Sequence, residues 1–144
     1  MATNYLKINC GSFIYCTSTK RYLFLLRAQG RYAGTWGLVG GKIEYKESVL
    51  HGLVREINEE LGGEIIDAKV LPIEKFTSDN GRFVYHTFLI KVEEEFTPVL
   101  NEEHRGWCWV TLEDHPKPLH PGVWRTIKFK ANQDKIKVHE KLIS

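Results

Sequence analysis

Glu56, Glu59 and Glu60 crowd three carboxylates into the string REINEEL, with Glu47 and Arg55 standing just before them. The apolar residues Leu50, Leu53, Val54, Ile57 and Leu61 recur at spacings of three and four. That period predicts an α-helix from Ser48 to Leu61, with Ser48 as its N-cap and Gly62-Gly63 as its stop. On a wheel of about 100° per residue with Leu50 at zero, the apolar residues span about −60° to +40°, and Glu59, Glu56 and Glu60 fall near 180°, 240° and 280°. The carboxylates therefore share one flank beside the apolar stripe. Glu56 and Glu60 repel at i,i+4 by roughly 0.2–0.5 kcal/mol, and the last turns of a helix disfavour negative charge. Selection for helix stability alone would not place them there. Mg²⁺ or Mn²⁺ removes the conflict, because a hard cation takes a few carboxylate oxygens and keeps waters for substrate phosphates.

The spacing extends beyond the helix. Gly41 is followed after five residues by Glu47, and Glu47 after seven by Arg55-Glu56-Ile57-Asn58-Glu59-Glu60-Leu61-Gly62. This resembles the Nudix box, G-x5-E-x7-R-E-U-x-E-E-x-G-U with U aliphatic, at every fixed position and at the first U. The last position departs, since Gly63 stands where an aliphatic residue is usual. The preceding AGTWGLVGGKIE is similar to the family's G-x-W-x-x-P-G-G-x-x-E approach, with Val39 where proline is frequent. The resemblance runs from Leu25-Leu26-Arg27 to Trp109-Val110, and residues 116–144 carry no matching motif.

The resemblance implies a Nudix fold, a mixed β-sheet sandwiched between α-helices in an α/β (α+β) domain, and a pyrophosphohydrolase that uses Mg²⁺ or Mn²⁺. It implies that Glu56, Glu59 and Glu60 bind the metal with help from a backbone carbonyl at Gly40, and that Glu47 and Arg55 pair to hold the loop against the helix. A water attacks a phosphorus of a diphosphate linkage, and a general base lies within reach of that water. The base is a box carboxylate or one from a later loop. In NEEHRGWCWV the matching position, about six residues ahead of Trp109, is Glu103, with Glu102 the weaker candidate. His104, His51 and His86 read as bystanders. Arg27 matches a position where a basic residue meets substrate phosphate, and Trp36, Tyr85, Tyr32 and Phe83 are candidates to stack on a base.

The implied substrate is a nucleoside diphosphate joined to another group: a nucleoside triphosphate, a nucleotide sugar, ADP-ribose or a dinucleoside polyphosphate. A 5′-triphosphate RNA stays open as a substrate and a homodimer as an assembly, and nothing resembles an RNA-binding module. The alternative is a catalytically inactive Nudix-fold nucleotide sensor. Such modules commonly lose box glutamates, whereas Glu47, Glu56, Glu59 and Glu60 are all present here.

The remaining sequence must supply the scaffold. A chain of 144 residues with 42% hydrophobic and 26% charged residues is suited to one globular domain spanning 1–144. YLKINCGSFIYC (5–16) and RYLFLLR (21–27) read as a hairpin around TSTK, and Gly40-Gly41 as a turn or a close backbone approach. EIIDAKVLPIEKFTS (64–78) and RFVYHTFLIKV (82–92) read as a second hairpin turning at Asn80-Gly81. GWCWV (106–110) reads as a further strand, and PGVWRTIKFKANQDK (121–135) as one late helix. Residues 1–114 hold 13 Lys+Arg against 16 Asp+Glu, and 115–144 hold 7 against 2, so the tail is the basic part. It reads as a solvated end. The three cysteines form no CxxC pair, no segment is apolar enough to span a membrane, and no signal peptide is visible, so a cytoplasmic protein is expected.

Overall fold

The computed structural model describes residues 6–62 and 69–142. Its strands are β1 (Lys7–Cys16), β2 (Arg21–Arg27), β3 (Trp36–Gly37), β4 (Val39–Lys42), β5 (Val70–Thr77), β6 (Phe83–Val92) and β7 (His104–Val110). The helices are α1 (Val49–Leu61), α2 (Pro121–Lys128) and α3 (Lys130–Lys141). The strands form one mixed sheet of order β3-β2-β1-β6-β5, with β4 added to β1 and β7 to β2. β1 is the spine: it runs parallel to β6 over its whole length and forks antiparallel to β4 at Asn9–Ser12 and to β2 at Tyr15–Cys16.

Two apolar layers cover the sheet, and strand alternation assigns residues to each. Cys10, Ile14 and Cys16 of β1 face one way and join Leu53, Ile57 and Leu61 of α1. Phe13 and Tyr15 face the other way and join Val123 and Ile127 of α2 and Ile136 of α3. The sheet is thus sandwiched between helices, as the resemblance implies. Truncating Ile57, which is fully enclosed in the first layer, is expected to cost about 2–5 kcal/mol. Urea denaturation of Ile57→Ala measures this, and a loss below about 1 kcal/mol would mean that the site collapses around the cavity.

Several expectations are corrected. Leu50 and Val54 are 53% and 40% exposed, so α1 does not bury the stripe centred on Leu50. It is rolled toward the glutamate flank, burying Leu53, Ile57, Leu61 and Glu60. Of the two readings of Gly40-Gly41 the close backbone approach holds: the pair lies within β4, where a side chain on Gly40 would strike the Cys10 carbonyl. Val39, at the usual proline position, stands in β4 rather than in a turn, where it pairs with Ser12 and is fully buried. The late helix is two helices, broken at the extended residue Phe129. Part of the expected strand 64–78, with Gly63, lies outside the described residues.

The basic tail is not simply a solvated end, because Val123, Ile127 and Ile136 belong to the core and Arg125 donates to Glu74. Other predicted features match. Ser48 accepts the His51 N–H as N-cap, and Gly62 ends α1 in the left-handed conformation. Gly81 has φ 71° in the β5–β6 turn. The connection from β6 to β7 is anchored: Arg21 forms two hydrogen bonds to Glu95, and the Trp109 Nε1–H donates to the Phe96 carbonyl at 3.0 Å. These ties hold the chain that leads to Glu103. On the opposite layer, Glu74 accepts from Arg125, Thr126 and Asn132, which fixes α2 and α3 against β5.

Candidate active site

Arg55 organises the loop before α1. Its Nε and Nη2 donate to the two carboxylate oxygens of Glu47 at 2.7 and 3.0 Å, a bidentate pair that fits the planar guanidinium. The same Nη2 donates to the Lys42 carbonyl at 2.9 Å, and Nη1 reaches Glu56 at 3.0 Å and Glu59 at 3.3 Å. Glu47 also accepts the Glu44 N–H. The Arg55 hydrogen bonds, then the Glu44 N–H, hold the Glu47 carboxyl down at about 2. One arginine thus clamps β4, the loop and two helix carboxylates.

The glycines let the carboxylates meet β4. A Cβ on Gly41 would lie about 2.5 Å from the Glu56 carboxylate, and the Gly40 N–H donates to Glu60 Oε1 at 2.6 Å. The contact tying Gly40 to the cluster is therefore its N–H. Glu60 is 2% exposed, and burial, with Glu56 and Glu103 adding to it, pushes its pKa up to about 8. Burial also raises Glu56, against the opposing pull of Arg55. Glu59 is the outlying member, with 54% of its side chain exposed at the solvent edge of the clamp.

The loop before β7 completes the arrangement. One ligand-capable atom from each of Glu60, Glu103 and His104 lies within 4.8 Å of the others. The Ala28 N–H donates to the Glu103 carbonyl at 2.8 Å, so β2 holds the loop in place. His104 Nδ1 stands 3.2 Å from Glu60 Oε2, both side chains being almost fully enclosed. Despite this distance the two atoms make no hydrogen bond, and Nδ1 has no other partner. Burial, reinforced by Arg27, lowers the His104 pKa to about 4. Burial thus acts against the charged form of both partners, raising the Glu60 carboxyl and lowering the His104 imidazole.

A cavity of about 570 Å³ adjoins Gly40 and Gly41 and is lined by Arg27, Tyr32, Phe76, Phe83, Tyr85, His120 and Arg125 among others. The buried Nε of Arg27 has no partner. Arg27 is close enough to act on Glu60, Tyr85, His104 and His120 alike, which sets it between the carboxylates and the aromatic wall. Arg125 lies over the Phe76 ring at 4.3 Å, so one residue of the basic tail serves the cavity wall. Burial pushes the Cys10 thiol, also in the lining, up to about 11, which leaves it unsuited as a nucleophile.

The structure brings Glu56, Glu60 and Glu103 together, seats Glu47 and Arg55 as their clamp, and places Arg27 and Tyr85 on the cavity. Trp36 is corrected: it does not line the cavity, because β3 pairs it with Leu26 and its ring packs against the α2-side layer. His104 is corrected from bystander to buried neighbour of Glu60.

The Nudix domain profile matches residues 9–132. The chain belongs to the Nudix family. It is similar to the nucleoside triphosphatase NudI of Escherichia coli O139:H28, 30% identical over 116 residues that cover 74% of this chain and 77% of that protein. Among solved structures, a MutT Nudix hydrolase from Burkholderia pseudomallei matches with a TM-score of 0.68 at 30% identity, covering 88% of this chain and 95% of that one. A Nudix hydrolase from M. smegmatis, RenU, shares the fold with a TM-score of 0.73 at 19% identity, covering 100% and 92%. The Nudix chain described here is accordingly a pyrophosphohydrolase. No described helix is long and apolar enough to cross a membrane.

Proposed function

We propose that this Nudix enzyme hydrolyses the phosphoanhydride of a nucleoside triphosphate in a reaction that depends on Mg²⁺ or Mn²⁺. The observation that carries this reading is the junction of a buried carboxylate cluster with an aromatic cavity, with Arg27 at the seam. The residues fit a divalent cation: oxygens converge from Glu60 and Glu103, Glu56 lies against β4, and burial raises the Glu56 and Glu60 pKa values, a cost that a bound cation would offset. In this reading Glu56, Glu60 and Glu103 hold the cation, Glu59 closes its solvent side and the Gly40 carbonyl assists. Such a cation supplies charge neutralisation on phosphate oxygens and a lowered pKa for bound water.

The chain's own groups supply the rest. Arg55 and Glu47 fix the carboxylates before substrate arrives, so little reorganisation accompanies the reaction. The Arg27 guanidinium binds a phosphate, and Tyr85 with Phe83 offers ring faces to the base. Glu103, on a loop at the cluster's open side, accepts the proton of the attacking water as its oxygen bonds to phosphorus and the anhydride P–O bond breaks. Glu103→Gln is expected to lower kcat about 10²-fold, the low end of what a general base contributes, with KM little changed. A wild-type rate for that variant assigns the base to a box carboxylate. The NudI relatives are named as nucleoside triphosphatases, which supports the substrate class. The three free cysteines fit a reducing cytoplasm.

A panel of nucleoside triphosphates, nucleotide sugars, ADP-ribose, dinucleoside polyphosphates and 5′-triphosphate RNA, with products resolved by ³¹P NMR, tests the proposal. Fastest turnover of a nucleoside triphosphate, lost on chelation, is the expected result. A faster nucleotide sugar or 5′-triphosphate RNA would replace the substrate class, and tight binding without turnover would replace the enzyme by a sensor.

A further inference from the structure

His104 reaches Glu60 only because β7 is irregular. Along β7, Trp109 packs in the layer shared with α1, while Cys108 packs in the α2-side layer. Strict alternation would send His104 to the side of Cys108, away from Glu60. The register against β2 slips instead: Leu26 pairs with Gly106, but Arg27 pairs with His104. Arg105 is thus the extra residue of a bulge, and the bulge returns His104 to the α1 side. Bulges next to active sites commonly re-aim a side chain in this way.

The result is a buried imidazole whose Nδ1 faces the one Glu60 oxygen that Gly40 does not hold. Glu60 Oε1 accepts from Gly40, Oε2 lies 3.2 Å from His104 Nδ1, and Nδ1 has no other partner. A buried nitrogen without a partner is costly, so its placement calls for a state in which it is satisfied. A hydrogen bond to Glu60 Oε2, only 3.2 Å away, would be such a state.

We propose that His104 is a positioning residue which donates its Nδ1–H to Glu60 Oε2 in the cation-loaded enzyme, fixing the carboxylate between that donor and the Gly40 N–H. This rests on Glu60 as a cation ligand. Donors behind a metal-binding carboxylate typically govern metal affinity or activity by 10–100-fold.

Two variants separate donor from bulk. Asparagine places its side-chain amide nitrogen where histidine has Nδ1, whereas phenylalanine keeps the ring and removes the donor. His104→Phe is expected to weaken Mn²⁺ binding, read by EPR, and kcat at saturating metal by about 10–100-fold each, with substrate KM little changed. His104→Asn is expected to recover most of both. Side-chain ¹⁵N NMR of the Mg²⁺-loaded wild type, which needs no variant to fold, should show a neutral imidazole protonated at Nδ1. An unprotonated Nδ1, or an asparagine variant no better than phenylalanine, would overturn the proposal. Glu60→Gln measured alongside distinguishes the two failures: if it keeps wild-type Mn²⁺ affinity, the underlying site reading fails, and if only the His104 variants do, the positioning role fails.

Discussion

Glu60→Gln is expected to lower turnover about 10³-fold, equivalent to about 4 kcal/mol of transition-state stabilisation, while leaving the metal-free protein folded and more stable at pH 7. The two effects have one cause. Glu60 sits in the buried face of α1, where a carboxylate is retained against the cost of desolvation. Its folded pKa is about 8 against an ordinary 4.5, so between those values the metal-free folded protein keeps a proton that the unfolded chain has lost. Stability conferred by that proton is present below about 4.5 and drains away as pH rises toward about 8. Glutamine fills the same space without ionising, so chemical denaturation in chelator should show a smaller fall across this window. A variant that turns over like wild type would remove Glu60 from the chemistry; one with an unchanged stability profile would remove the burial argument.

Changing Arg55 is expected to produce the other large effect, on activity and stability together. Arg55→Ala strands the carboxylates of Glu47 and Glu56 and the Lys42 carbonyl, and charged hydrogen bonds of this kind make the expected loss about 2–3 kcal/mol. Arg55→Lys separates charge from shape. A lysine retains the cation but cannot span both Glu47 oxygens while reaching Lys42 and Glu56, so turnover should fall about 10²-fold with the fold retained. Near-wild-type kcat/KM in the lysine variant would show that the charge suffices and that the clamp is dispensable.

Sequence spacing alone made the chemistry-bearing helix legible, because motif positions and helical period converge on the same residues. The family resemblance pointed to the clamp and the cluster, and the helical wheel misjudged how α1 sits. The wheel treats Leu50 and Val54 as core because they are apolar, yet the packed helix turns Glu60 inward. A buried carboxylate looks no different in sequence from an exposed one. The Gly40-Gly41 pair allowed either a turn or a close approach, and only the neighbouring Cys10 carbonyl and Glu56 carboxylate decide for the approach. Trp36 and Tyr85 were equal candidates for base stacking. Strand pairing separates them by sending one ring to the core and the other to the cavity.

His104 escaped for a specific reason. It stands ahead of the expected strand 106–110, where a loop histidine reads as a bystander, and the one-residue register slip that aims it at Glu60 leaves no mark in composition. The break at Phe129 was hidden in the same way, since 121–135 keeps enough helix-compatible residues to read as continuous. Long-range pairs such as Glu74 with Asn132 set the packing of α2 and α3, and they connect segments that sequence proximity never links.

The measurement closest to the central claim is an anomalous difference map from crystals grown with Mn²⁺ and a non-hydrolysable nucleoside triphosphate. The account predicts the strongest peak beside the carboxylates of Glu56, Glu60 and Glu103, with the phosphates reaching toward Arg27 and the base against Tyr85. A strongest peak away from those carboxylates, or none where the nucleotide is bound, would contradict it.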